Sequence, residues 1–224
     1  MGGPPTLGAV ASRGPGRPGK DAGPTVEDGA ILDAALEAFA ERGFDGTSLR
    51  ELARDLGVSH NLIPQRFGTK DRVWRAAVDR GFGALLADLL KVAEDPPGDD
   101  LEGLRATIVR FVEANASRPA LLRIINQEAT VAGPRLDYLF DSYIDPVREL
   151  GAGLLADLRA KGRIRTDSVS LVYFLMTHGA GGPMALPALA ERFGQTIDPN
   201  DAEAIHRAAV EAVDVLFDGL VVVP

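Results

Sequence analysis

Between Thr47 and Trp74 the sequence sets helix signals so close together that the stretch reads as three short helices in a row. Ser48 with Glu51 three residues on has the spacing of a capping box, with Thr47 as an alternative cap. Leu49, Leu52, Ala53 and Leu56 then recur as one apolar face. Gly57 makes a tight turn, Ser59 caps the next helix, and Thr69 caps the one after, whose Val73, Trp74, Ala77 and Val78 face inward. Two short helices joined by a tight turn carry little chemistry of their own. They suit the placing of one helix start in a DNA major groove.

Upstream, Ile31, Leu32, Ala35, Leu36 and Phe39 form the apolar face of a first helix, expected from a Thr25 cap to about Arg42, with Gly43 as its terminator and Phe44 folding back as a core plug. Residues 1–24 are crowded with Gly and Pro and read as a disordered basic arm. The Arg17-Pro18 segment within it suits an A·T-rich minor groove or is merely a leader.

The net charge of −8 taken alone argues against a polyanionic partner, but it is unevenly spread. Residues 47–75 hold six basic and three acidic groups, whereas residues 81–224 hold 13 basic and 21 acidic. A basic head on an acidic body keeps a phosphate-binding face and orients the molecule. With no cysteine, thiol catalysis and thiolate metal sites are excluded, and His60, His178 and His206 have no ligand-like spacing, so no metal or cofactor is expected. No run is long enough for a membrane span and no signal-peptide core is evident, which makes the cytoplasm the expected location. No nucleophile triad, P-loop or dinucleotide fingerprint points to an enzyme.

Beyond the polar loop at residues 94–100, helices are expected near 101–115, 118–131, 134–161, 167–179 and 199–220. Pro119 and Pro199 sit at helix starts, and Pro146 kinks or splits the third of these after Asp145. Residues 179–187 read as an irregular loop. The fold expected is all-α: a helix-turn-helix domain over 25–79 and a larger helical domain over 80–224.

At the level of whole motifs, the segment from Ile31 through L-G-V-S to F-G-T-K-D resembles the TetR family of bacterial transcriptional regulators. The resemblance covers roughly residues 30–78 and rests on A-A-x-x-x-F, the aromatic after Gly43, the T-S start, the L-G-V-S turn and F-x-[ST]-K. It implies a homodimer on a palindromic site in double-stranded DNA, released when a small molecule enters the C-terminal domain. Thr47, Ser48 and Ser59 would then sit near phosphates, and Arg50 would reach a guanine edge or stay solvated. His60, Asn61 and Leu62 would meet base edges, Gln65 and Arg66 phosphates or outer bases, and Lys70 a phosphate. Pro64 departs from the family, which usually has tyrosine there. It removes a phosphate contact and is expected to bend a short helix. The alternative reading is therefore a dimeric ligand-binding or interaction protein with weak or lost operator binding.

In the larger domain, Phe111, Ile125, Asn126, Tyr138, Tyr143, Phe174, Thr177 and His178 are candidates for an unidentified small-molecule ligand, or for a plain core. Leu171 and Leu175, with Ile205, Ala208, Ala209, Ala212, Val213 and Leu216 of the last helix, are candidates for a two-fold four-helix interface, or again for internal packing.

Overall fold

The structure, a computed structural model, describes residues 26–195 and 197–222, and these are helical with one isolated bridge, Ile164 to Val221. The N-terminal arm and the Thr25 cap lie outside the described residues. Helix α1 (Asp28–Gly46) buries Ile31, Ala35, Leu36 and Phe39, and turns sharply at Gly43, whose φ of 71° is open to glycine at little steric cost. A further helical turn follows before the chain leaves at Thr47. Phe44 stacks on Phe39 with ring centres 5.9 Å apart, the expected plug.

Helices α2 (Leu49–Asp55) and α3 (Leu62–Phe67) follow. Gly57, at φ 66°, closes α2: its N–H meets the Arg54 carbonyl at 3.0 Å, and the Val58 N–H meets the Ala53 carbonyl at 2.9 Å. That pair of bonds is the Schellman arrangement, and it explains how so short a linker can redirect the chain. Helix α4 (Lys70–Glu94), capped by Thr69, runs out of the head and through the body, so the division expected after residue 79 falls inside a continuous helix. One apolar core joins Ile31, Phe39, Ile63 and Trp74 to Phe82, Leu85, Leu121 and Leu139. At Gly81 an added Cβ would lie 2.8 Å from both Leu36 and Leu121, so glycine is what lets α1 and the helix that carries Leu121 close on α4.

The body comprises α5 (Asp100–Ser117), α6 (Pro119–Glu128), α7 (Pro134–Leu139), α8 (Asp145–Ala160), α9 (Val169–Phe174), α10 (Gly182–Ala185), α11 (Pro187–Arg192) and α12 (Ala202–Leu220). Its own core centres on Ile108, Val112, Leu155 and Leu158 packed against Ile205, Ala209 and Val213. The split expected after Asp145 is not seen: the backbone stays helical from Pro134 to Ala160. A π-helical turn, Phe140–Ile144, precedes α8 and absorbs the proline, which cannot donate back into the previous turn. A second π turn, Leu175–Ala180, follows α9.

Two further expectations change here. Residues 182–192 form two short helices rather than an irregular loop, each with proline in its first turn. The last helix starts at Ala202, beyond Pro199, because the Asp201 side chain caps it by accepting from the Ala204 N–H at 2.9 Å.

Candidate functional site

The head presents its third helix outward. His60, Asn61, Pro64 and Gln65 are exposed and share one face, while Ile63 is fully buried. The Ser59 hydroxyl accepts from the Asn61 N–H at 3.5 Å, a loose cap. Pro64 does not bend this helix. It lies in the first turn, where its missing N–H costs little, and the flanking bonds from Gln65 N–H to Asn61 (3.0 Å) and Gly68 N–H to Pro64 (2.9 Å) are intact. Leu62, expected among the base edges, is half-buried against the head core. Pro64 therefore takes the outward apolar position that sequence reasoning gave to Leu62.

Thr47 also moves. It is 3% exposed, and its hydroxyl donates between the carbonyls of Gly43 (2.7 Å) and Ala38 (3.1 Å). This hydroxyl seals the end of α1 and cannot reach a phosphate. Ser48 is the cap of α2, accepting from the Glu51 N–H at 3.5 Å. Glu51 does not bond back; its carboxylate lies 4.0 Å from Arg42.

The cations divide into two groups. The Arg66 guanidinium donates to the Val26 carbonyl at 2.6 Å and to Asp28 at 2.8 Å, so its charge ties α3 to the start of α1. Arg54 and Arg75 are likewise paired, with Asp55 and Asp71. Among the described residues Arg50, Lys70 and Arg72 have no ion-pair partner. The Lys70 ammonium is aimed by the Asp45 carbonyl at 3.2 Å and by the Phe44 ring, 4.7 Å from its centre. Arg72 was not singled out in the sequence, where nothing separates it from the paired Arg75.

In the body, α4 to α9 and both π turns line an open-sided cavity of about 630 Å³. Of the candidate ligand residues, Phe111, Ile125, Asn126, Tyr143, Phe174 and His178 line it. Tyr138 and Thr177 do not. Tyr138 packs on Trp74 and donates to Asp79 at 2.5 Å, and the Thr177 hydroxyl, 3% exposed, bonds the Tyr173 carbonyl at 2.8 Å. Tyr143 also donates to Asp79, at 2.6 Å, so one α4 carboxylate holds both tyrosines. Burial and that carboxylate push both hydroxyls to higher pKa. Tyr173 and Gly151 are lining residues the sequence pattern did not mark. Among the described residues no cluster of three His, Asp or Glu could hold a metal.

The face expected for dimerisation divides too. Ile205, Ala209 and Val213 are at most 2% exposed and belong to the internal core. They pack inward because α12 lies along α5. Leu171 and Leu175 are exposed, together with Phe174 and Val215, while Ala208, Ala212 and Leu216 are half-buried.

A three-helix head with an exposed third helix, carried on a long helix shared with a larger all-helical body, defines a helix-turn-helix regulator architecture. Residues 31–77, the head of the chain, match the family described as bacterial regulatory proteins, tetR family. An HTH-type transcriptional repressor of Mycobacterium tuberculosis is 42% identical over 73 residues, 33% of this chain. That match spans only 37% of the relative's length. The repressor AcnR of Corynebacterium jeikeium is 26% identical over 75% of this chain and 86% of its own. Among solved structures, the ketosteroid transcriptional regulator KstR2 of Mycobacterium tuberculosis superposes with a TM-score of 0.70, covering 91% of this chain and 100% of its own at 21% identity. AibR, solved with isovaleryl coenzyme A and operator DNA, gives 0.64 over 85% of this chain and 97% of its own at 19% identity. These structural likenesses speak to the fold. No described helix is long and apolar enough to cross a membrane.

Proposed function

We propose that the chain is a DNA-binding transcriptional repressor that acts as a homodimer on a two-fold operator in the cytoplasm and is released when a small molecule fills the body cavity. The observation that carries this is the outward face of α3. His60, Asn61, Pro64 and Gln65 stand together there with the unpaired cations Arg50, Lys70 and Arg72 in the same head. Asn61 suits adenine N6 and N7, the Pro64 ring suits a thymine methyl, and the cations suit phosphates. Ser48 adds a hydroxyl beside Arg50. The relatives named as repressors support the regulatory reading, and AibR, solved with both isovaleryl coenzyme A and operator DNA, supports a protein of this fold that takes a small molecule as well as DNA. The exposed apolar residues Leu171, Leu175, Phe174 and Val215 support contact with a second copy.

The test is binding of the purified protein to the DNA upstream of its own gene, with a scrambled competitor at physiological salt. Competitor-resistant binding that weakens with salt is the expected result. Binding no tighter than to the competitor would favour the second reading, a TetR-like protein whose operator contact is lost at Pro64. The exposed proline on the reading face is what keeps that reading alive. On it Pro64→Tyr restores binding; on the first reading Pro64→Tyr gains little.

A further inference from the structure

Nearly every polar group on the cavity wall is already engaged. The Asn115 amide donates to the Phe111 carbonyl at 2.8 Å, and the Thr107 hydroxyl to the Gly103 carbonyl at 2.9 Å. Thr130 bonds the Gln127 carbonyl, Tyr143 bonds Asp79, and the His178 Nδ1 meets the Thr177 hydroxyl. No carboxylate is among the lining residues, and the only arginine or lysine there is Arg148. Its charge is met by Asp145 at 2.5 Å and Glu149 at 3.8 Å. A bare ion entering this space would leave water and find no unpaired opposite charge, which is costly.

Two lining groups break the pattern. Among the described residues the Tyr173 hydroxyl on α9 and the Asn126 side chain on α6 have no hydrogen-bond partner. Burial pushes the Tyr173 pKa up, so its hydroxyl keeps its proton and stays a donor. An unmatched donor in an apolar wall selects a molecule that brings an oxygen to it, because a ligand lacking one leaves the donor unsatisfied.

We propose that the cavity takes an uncharged, hydrocarbon-rich molecule bearing a hydroxyl or carbonyl oxygen, and that Tyr173 determines specificity by donating a hydrogen bond to that oxygen. The proposal rests on the reading of the cavity as a ligand site.

The test compares probes of one chain length on the full-length protein by titration calorimetry: 1-decanol, 1-decanethiol, decanoate and decyltrimethylammonium. Decanol is expected to bind at least about tenfold more tightly than either ion. Tyr173→Phe should weaken decanol by roughly three- to tenfold and leave decanethiol, a far poorer acceptor, unmoved. Gly151→Phe provides the occupancy control: Gly151 lines the cavity and an added Cβ there meets nothing within 4 Å, so the ring fills the space and should abolish binding of all four. Tighter binding of an ion, still abolished by Gly151→Phe, would overturn the uncharged class while the ligand site stands. Equal loss of decanol and decanethiol in Tyr173→Phe would overturn the role of Tyr173. Failure of every probe to bind, or binding indifferent to Gly151→Phe, would overturn the ligand-site reading and the proposal with it.

Discussion

Head and body of this protein are built from the same helices-on-core principle but leave opposite things unfinished. In the head most apolar groups are closed away, and what remains outside is, Pro64 apart, polar: an exposed face on α3 and, among the described residues, three cations without an ion pair. In the body the polar groups are largely satisfied, and what remains open is apolar: a cavity and the exposed side chains of Leu171, Phe174, Leu175 and Val215. Unfinished polar surface suits a charged, hydrated partner, and unfinished apolar surface suits a second chain or an oily small molecule. The two halves are nevertheless one mechanical unit, because α4 and the core around Trp74 and Leu121 belong to both.

The largest expected effect breaks that unity. Trp74→Ala removes a side chain 1% exposed at the centre of the shared core and should cost about 3–5 kcal/mol. Urea unfolding should show one weakened transition for head and body together; a body that melts independently, unmoved, would show the core is not shared. Thr47→Val is next, at about 1–3 kcal/mol, since it leaves two carbonyls of α1 without their donor. The decisive readout is the salt dependence of DNA binding, which should keep its slope; a flattened slope would return Thr47 to the phosphate contacts.

Smaller changes sharpen the division among cations. Lys70→Ala and Arg72→Ala should each lower the log–log salt slope by roughly one, whereas Arg66→Ala, removing a charge already met by Asp28, should alter it far less. Equal slopes for all three variants would erase the distinction between binding and structural cations. Smallest is Gly151→Ala in α8, where the added methyl meets nothing and helix propensity should add about 0.5–1 kcal/mol to thermal stability. A loss instead would mean the cavity wall tolerates no added volume.

Much of the head was legible in the sequence because its signals are local. Ser48 and Thr69 reach backbone N–H groups three residues on, and Gly57 closes its own turn. Thr47 escaped for the opposite reason: its second carbonyl lies nine residues back and is brought close by the break at Gly43. Arg66 and Arg72 could not be told apart, since the ion pair of Arg66 spans 38 positions. In the body, helix positions followed periodicity well, but α12 shows its limit. A stripe of Ile205, Ala209 and Val213 announces burial without saying whether α5 or another copy does the burying. A cavity is harder still, because it is defined by where side chains from distant helices fail to meet.

Both π turns adjoin the cavity, and each closes its backbone bond one residue later than an α-helix would: Asp145 N–H to Phe140, and Gly181 N–H to Met176 at 2.9 Å. One residue corresponds to about 100° of rotation along a helix. Which side chains of α8 look inward is thus a matter of phase as well as identity. Deleting a single residue from Phe140–Ile144 would leave every lining residue type of α8 in the sequence while turning Val147, Arg148, Gly151 and Leu155 away from the space they now line. The pocket is written in register, and length changes in its walls would rewrite it more thoroughly than any point substitution.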